Sequence, residues 1–387
     1  LKTLTPKVEQ PVSTAGLQRI SSERVDPSPS GSRRVPELDG IRGVAIALVL
    51  IRHSFETSAA TGIMGAMGVD LFFVLSGYLI TGILLAAKSR PHYFRNFYAR
   101  RALRIFPLYY LLLILIAVSY PHPGPYVVLG LFYVSNLWHL FAVPMLYAPL
   151  WSLSVEEHFY FVWPWVVRRL NVTRLRNLAL AVVVIEPLFR GLAYYHHWPI
   201  YCYTWFRLDG LALGAFLACD VRMKGRSPHR LAISSALALA ASAALLTLMP
   251  LFAAGSMAVF FSFNSILSVA LIAATLSGQI PTLSAIMRSR ALVKTGELSY
   301  FLYIAHELIF HFWDSLLGAG QPLLLHWLGA FGALMIRDTV VLAVTFLLAE
   351  LSRRYFEGPI LALKRHFPSV VPTAVSVGQM RPASQQA

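Results

Sequence analysis

Glu37-Leu-Asp-Gly-Ile-Arg-Gly-Val-Ala-Ile-Ala-Leu-Val-Leu-Ile-Arg-His53 is the first apolar segment of the chain, and its reading decides the fold. It carries Asp39, Arg42, Arg52 and His53 into or against a membrane span. Ionisable groups are costly in hydrocarbon, so their presence there points to function by default. Arg42 and His53 stand eleven residues apart, close to three helical turns. Both therefore lie on one face, separated by a rise of roughly 16 Å. A cation near one membrane surface, with an imidazole deeper on the same face, outlines a path for a long anionic ligand.

Working outward, the composition agrees with a membrane protein. The chain is 57% hydrophobic and 13% charged, against about 25% charged residues in soluble domains. Apolar segments recur near 40–55, 66–87, 105–120, 126–141, 150–167, 177–195, 201–220, 231–252, 257–277, 298–317 and 324–350. If all eleven cross, the basic cluster Arg168, Arg169, Arg174 and Arg176 falls on the outer face. If 126–141 stays outside or re-enters, every basic loop lands on one face, as the positive-inside rule requires. That face then holds 28 of the 33 Lys and Arg residues; Arg42, Arg52, Arg190, Arg207 and Arg337 sit within spans. The expected fold is thus an all-α polytopic membrane protein, with about ten transmembrane helices in one bundle and both termini cytoplasmic. The net charge of +15 is a topology signal, with some attraction to anionic lipid, and does not point to nucleic acid.

Residues 1–35 and 366–387 are expected to be mobile cytoplasmic tails around a membrane domain at 36–365. No cleaved signal peptide is expected, because the first apolar stretch starts late and continues as a span. Leu1 in place of Met suggests a trimmed record or an alternative start codon. Cys202 and Cys219 fall in one expected helix, about 25 Å apart by helical rise, too far for a disulfide.

Four further motifs carry charge. Asp70, in Gly68-Val-Asp-Leu-Phe-Phe-Val-Leu-Ser-Gly-Tyr-Leu-Ile80, is either a helix cap or a partner for Arg52 or His53. Arg101 and Arg104, just before a span expected to start at Pro107, point the same way on a helical turn. Arginine suits bidentate phosphate recognition, and the plainer reading is a basic cytoplasmic flank. Glu156, in Leu150-Trp-Ser-Leu-Ser-Val-Glu-Glu-His-Phe-Tyr160, is expected level with His53, where a carboxylate would orient the imidazole. The plainer reading there is a solvated interfacial pair with Glu157. Finally, Glu186–Arg190, Arg207, Asp209 and Arg337-Asp338 read mainly as staples between helices. His306 and His311 are five residues apart, the wrong spacing for a two-histidine zinc helix, and no metal site is expected. His306 can still face the central cavity.

These blocks together resemble the acyltransferase-3 family of membrane O-acyltransferases. Leu-Asp-Gly-Ile-Arg-Gly with His53, Phe-Phe-Val-Leu-Ser-Gly-Tyr-Leu-Ile, Arg-Arg-Ala-Leu-Arg-Ile-Phe-Pro, Trp-Ser-Leu-Ser-Val-Glu and Leu-Ser-Tyr-Phe-Leu-Tyr-Ile-Ala-His follow the family's order over roughly residues 36–360. The resemblance implies transfer of an acetyl or short acyl group from acyl-CoA, as donor substrate, to a hydroxyl. It also implies a multi-pass protein of the bacterial cytoplasmic membrane. His53 matches the family's essential histidine, Arg42 the start of its Arg-x10-His motif, Arg101 and Arg104 its Arg-x-x-Arg, and Glu156 the acid of the Trp-Ser-Leu-Ser block. The expected catalytic set is His53 with Glu156 or Asp70 orienting its ring; the expected CoA-binding set is Arg42, Arg101 and Arg104. A covalent acyl-histidine intermediate is the competing route. Arg52 beside the histidine and His158 in place of a frequent Gln are departures from the pattern. The chain most resembles the stand-alone actinomycete-type members that acylate macrolide antibiotics, and by that similarity, with no extra hydrolase-like domain expected, the expected acceptor is a macrolide hydroxyl. The alternative acceptor is a cell-envelope glycan, and the alternative class is a secondary transporter.

Overall fold

The computed structural model describes residues 35–54, 59–224, 227–248, 256–317 and 321–368. The expected tails lie outside the described residues, apart from 35 and 366–368. Among the described residues there is no strand, and ten helices have 17 residues or more. They are α1 (Pro36–Ser54), α2 (Ala59–Ala87), α3 (Tyr93–Ser119), α5 (Pro149–Arg169), α6 (Val172–Tyr195), α7 (Leu208–Lys224), α8 (Pro228–Leu248), α9 (Ser256–Ser277), α11 (Arg290–Leu317) and α12 (Gln321–Leu351). Between them lie the short helices α4 (Gly124–Leu131) and α10 (Pro281–Met287), and α13 (Gly358–Ala362) follows α12.

By length and hydropathy, five stretches can cross a bilayer: Gly62–Ala87, Tyr93–Ser119, Val172–Tyr195, Ala258–Ser277 and Phe331–His366. The 126–141 segment forms no long helix. It is divided between α4 and a 3-10 turn at Ser135–Phe141, and eight residues of α4 rise roughly 12 Å, well short of a hydrocarbon core of about 30 Å.

The helix starts follow local chemistry. Proline opens α5 and α10, where its missing N–H costs nothing. Asn171 caps α6, its side-chain oxygen accepting the Arg174 N–H at 2.8 Å. Two sequence expectations need correction here. Pro107 does not start a helix: α3 begins at Tyr93 and runs through it, as membrane helices tolerate when neighbours satisfy the freed backbone. The helix expected at 201–220 starts at Leu208, so Cys202 lies in the preceding turn and Cys219 in α7. Both thiols are buried and free.

Packing divides the helices. In α2 and α9 the apolar stretch is mostly buried, whereas α3, α6 and α12 turn most of theirs outward. Val118, Leu188 and Leu347 are exposed on those outer helices, as lipid-facing residues are. Helix α1 packs on α2 and α11, and α2 packs on α7. Small residues set these approaches. A Cβ on Gly214 would lie 1.9 Å from the Val74 carbonyl oxygen, and one on Gly296 would lie 1.8 Å from that of Asp39.

A buried ionic network ties α2, α6, α7 and α9. Arg190 donates from Nη2 to Asp209 (2.8 Å) and Ser262 (2.7 Å), from Nε to the Ala258 carbonyl (2.8 Å), and from Nη1 to that of Phe206 (2.7 Å). Glu186 lies 3.8 Å from it. Arg207 pairs with Asp70, lies over the Phe261 ring at 3.8 Å, and Asn264 donates to the other Asp70 oxygen at 3.1 Å. The helix-staple reading of these charges therefore describes the arrangement. Arg337 likewise joins α12 to Asp314 of α11, at 2.7 Å.

Candidate active site

Helix α1 has an arginine end and an imidazole end. Its first turns carry Asp39 and Arg42, ion-paired at 2.9 Å. Gly40 and Gly43 let this part lie directly on the backbone of Met287 and Leu292, while Gly296 of α11 meets Asp39 and Gly43. No larger side chain fits these contacts. The glycines of Leu-Asp-Gly-Ile-Arg-Gly are thus packing residues that present Asp39 and Arg42 beside them.

Arg101 and Arg104 come to this end from α3. Arg104 lies in the electrostatic field of Arg42 and Arg101, and Glu156 of α5 lies in that of Arg101 and Arg42. Ser76 donates to Oε1 of Glu156 at 2.8 Å, and the Tyr160 hydroxyl donates to Oε2 at 2.9 Å. The Arg101 guanidinium lies over the Tyr160 ring at 3.7 Å, and its Nε is buried with no hydrogen-bond partner among the described residues. Four of the six expected site residues, Arg42, Arg101, Arg104 and Glu156, thus share one cluster. Ser76 and Tyr160 complete it. Tyr160 was legible as the i+4 neighbour of Glu156, but Ser76 is 80 residues away and carried no signal.

The other end of α1 carries His53. Its Nδ1 stands 2.9 Å from the Val49 carbonyl oxygen. A carbonyl only accepts, so that nitrogen bears the proton and the neutral ring keeps its lone pair on Nε2. The ring meets His306 of α11 edge to face, with centroids 4.7 Å apart. His306 is fully buried, and its Nδ1 faces the carbonyls of Leu302 (2.9 Å) and Tyr303 (2.8 Å). Its Nε2 is buried with no hydrogen-bond partner among the described residues. Two imidazoles of the same tautomer therefore stand together. The pairing follows from helix register. Gly43 meets Gly296, and ten residues further along each helix His53 meets His306, so α1 and α11 run parallel.

The expected ring-orienting carboxylates have other recorded partners. Asp70 is engaged by Arg207 and Asn264 inside the ionic network, and both Glu156 oxygens are engaged by Ser76 and Tyr160. At Nδ1 the His53 ring is oriented by its own helix, through Val49. Arg52 lies along α2, against Gly65.

Comparison with known proteins bears on the same segments. Residues 35–346 match the acyltransferase domain family. The peptidoglycan O-acetyltransferase OatA of Listeria monocytogenes is 30% identical over 362 residues, covering 84% of this chain and 56% of its own length. The O-acetyltransferase OatA of Staphylococcus aureus is 27% identical over 367 residues, covering 85% of this chain and 57% of its own. The chain thus spans about half the length of the curated relatives it matches. No solved structure matches it. The family match begins at the residue before α1 and runs into α12, taking in the arginine cluster and both histidines; the chain belongs to this acyltransferase family of multi-pass membrane proteins.

Proposed function

We propose that the chain is a membrane O-acyltransferase that moves an acetyl or short acyl group from cytoplasmic acyl-CoA to a hydroxyl of a cell-envelope glycan. One observation carries the reading. Helix α1 brings Arg42 to the arginines of α3 at one end and His53 to the buried His306 of α11 at the other, with Arg42 and His53 roughly 16 Å apart by helical rise. That spacing suits a donor with an anionic head and a long neutral arm. Parallel α1 and α11, the first and ninth of the ten long helices, support a topology in which every long helix crosses. The basic loops then all face the cytoplasm, where acyl-CoA is made.

In this mechanism Arg42, Arg101 and Arg104 hold the CoA phosphates. Nε2 of His53 takes the proton of the acceptor hydroxyl as its oxygen attacks the thioester carbonyl. The C–S bond breaks, the new ester forms, and the imidazolium returns the proton to the departing CoA thiolate. His306, packed edge to face on His53, holds that ring in place. A positioned base of this kind contributes about 10²–10⁴-fold. Glu156 keeps the arginines spaced, and Asp70 supports the scaffold.

The relatives, by name, act on peptidoglycan or as O-acetyltransferases. This puts the glycan acceptor ahead of the macrolide expected first from the sequence. The test is to incubate inverted membrane vesicles with radiolabelled acetyl-CoA, peptidoglycan fragments and a macrolide panel. Label in a glycan product is expected; label confined to a macrolide returns the acceptor to the first expectation. His53→Ala, expressed at the wild-type level, is expected to abolish transfer, and a near wild-type rate would remove His53 as the base.

A further inference from the structure

The segment after α12 is not a loose end in its described part. Residues 352–357 form a wide turn, α13 follows, and Leu363–His366 closes as a 3-10 turn. Three donors on α3 hold or flank this end. Nη1 of Arg100 donates to the carbonyls of Lys364 (3.1 Å) and Phe367 (2.9 Å). Nδ2 of Asn96, one helical turn earlier, donates to that of Pro368 at 3.1 Å, and the Arg95 guanidinium lies 5.7 Å from the centre of the Phe367 ring. Arg353 pairs with Glu297 of α11 at 2.9 Å, and Ser352 donates to Glu357 at 3.0 Å. The strap is therefore fastened to α3, which carries Arg101 and Arg104, and to α11.

Its fastening decides where Lys364 goes. Arg365 and His366 are exposed, but Lys364 is half-buried and lies in the field of Arg104, Arg100 and Arg101, with Glu357 as the carboxylate that opposes them. A lysine drawn under the surface normally sits with an acidic partner. Here it is held among cations, an arrangement that repels itself until an anion enters. The same cluster contains the idle, buried Nε of Arg101. Arginine forks and a lysine point charge together make a polyphosphate cradle.

We propose that the strap completes the donor site: Lys364, positioned by Arg100 through the backbone, is a further phosphate-binding cation for the nucleotide end of acyl-CoA. This rests on the acyl-CoA reading of the arginine cluster, and the test separates the two. Lys364→Ala, Lys364→Arg and Arg101→Ala are compared in the full chain in inverted vesicles, with acetyl-CoA and with S-acetyl-pantetheine, which lacks the phosphates. Lys364→Ala is expected to raise the KM for acetyl-CoA roughly tenfold, as loss of one hydrogen bond to a charged group does, with kcat and the S-acetyl-pantetheine kinetics unchanged. Lys364→Arg is expected to restore most of the affinity. If Arg101→Ala raises the KM while Lys364→Ala does not, or if Lys364→Ala weakens both donors equally, the strap has no part in phosphate binding. If neither variant changes the KM, the phosphate site itself is misassigned and both readings fall.

Discussion

Arg190 and Arg101 both lie among helices, yet their surroundings are opposite. Every guanidinium nitrogen of Arg190 is used by the protein, on two backbone carbonyls, a serine and a carboxylate. Arg101 has an Nε with no hydrogen-bond partner among the described residues, a tyrosine face beneath it, and arginines for neighbours. A fully satisfied buried arginine has nothing left to offer a ligand and ties helices together. One set among like charges is arranged for something that arrives later. Charge inside a membrane thus has two uses in this chain: Arg190 and Arg207 are paired with buried carboxylates, whereas Arg101 stands among other arginines.

Four substitutions test that contrast, from the largest effect to the smallest. Arg190→Ala strands Asp209 in the interior and is expected to cost about 3–5 kcal/mol. The readout is a large fall in the Tm of the detergent-solubilised protein, and a wild-type Tm would remove Arg190 from the scaffold. Arg101→Ala is expected to leave the Tm near wild type while raising the KM for acetyl-CoA at least tenfold, the effect of losing a charged hydrogen bond of about 1.5–3 kcal/mol. A lowered Tm with unchanged KM would make Arg101 structural as well.

Gly296→Ala asks whether the parallel α1–α11 approach holds the two ends in register. The added methyl would meet the Asp39 carbonyl, an overpacking cost of about 1–3 kcal/mol, and His306 would shift against His53. Lower kcat is expected, while Gly191→Ala, where a Cβ meets nothing within 4 Å, serves as the silent control. Equal kcat in the two variants would show that the histidine contact does not depend on this crossing. Arg337→Ala loses a partly exposed pair with Asp314 and a second with Asp338 and is expected to change stability by about 1 kcal/mol. A larger fall in Tm would place that pair with the Arg190 network.

Much of the site was legible along the chain, because each residue sits in an unusual place for its type. Arg42 and His53 stood out inside an apolar run, Arg101 and Arg104 on one helical face, and Glu156 in an apolar segment, although it joins the arginine cluster rather than the level of His53 expected for it. Roles were less legible than positions. Asp70 and Glu156 both looked able to serve His53, since sequence spacing along separate helices says nothing about which faces meet. The tertiary structure engages one with Arg207 and the other with Ser76 and Tyr160. Pro107 misled for a related reason: a proline that would stop a soluble helix is carried inside α3.

Helical, membrane-bound and built of recurrent apolar segments: that much is written along the chain. Hydropathy, charge asymmetry and the period of a helix are local properties, written in runs of neighbouring residues. Only the tertiary structure decided that His53 meets His306 and that Arg42 lies in the same electrostatic neighbourhood as Arg101 and Arg104. Those contacts depend on which helices run parallel and on glycines that let backbones touch, and both are properties of pairs of segments rather than of either one.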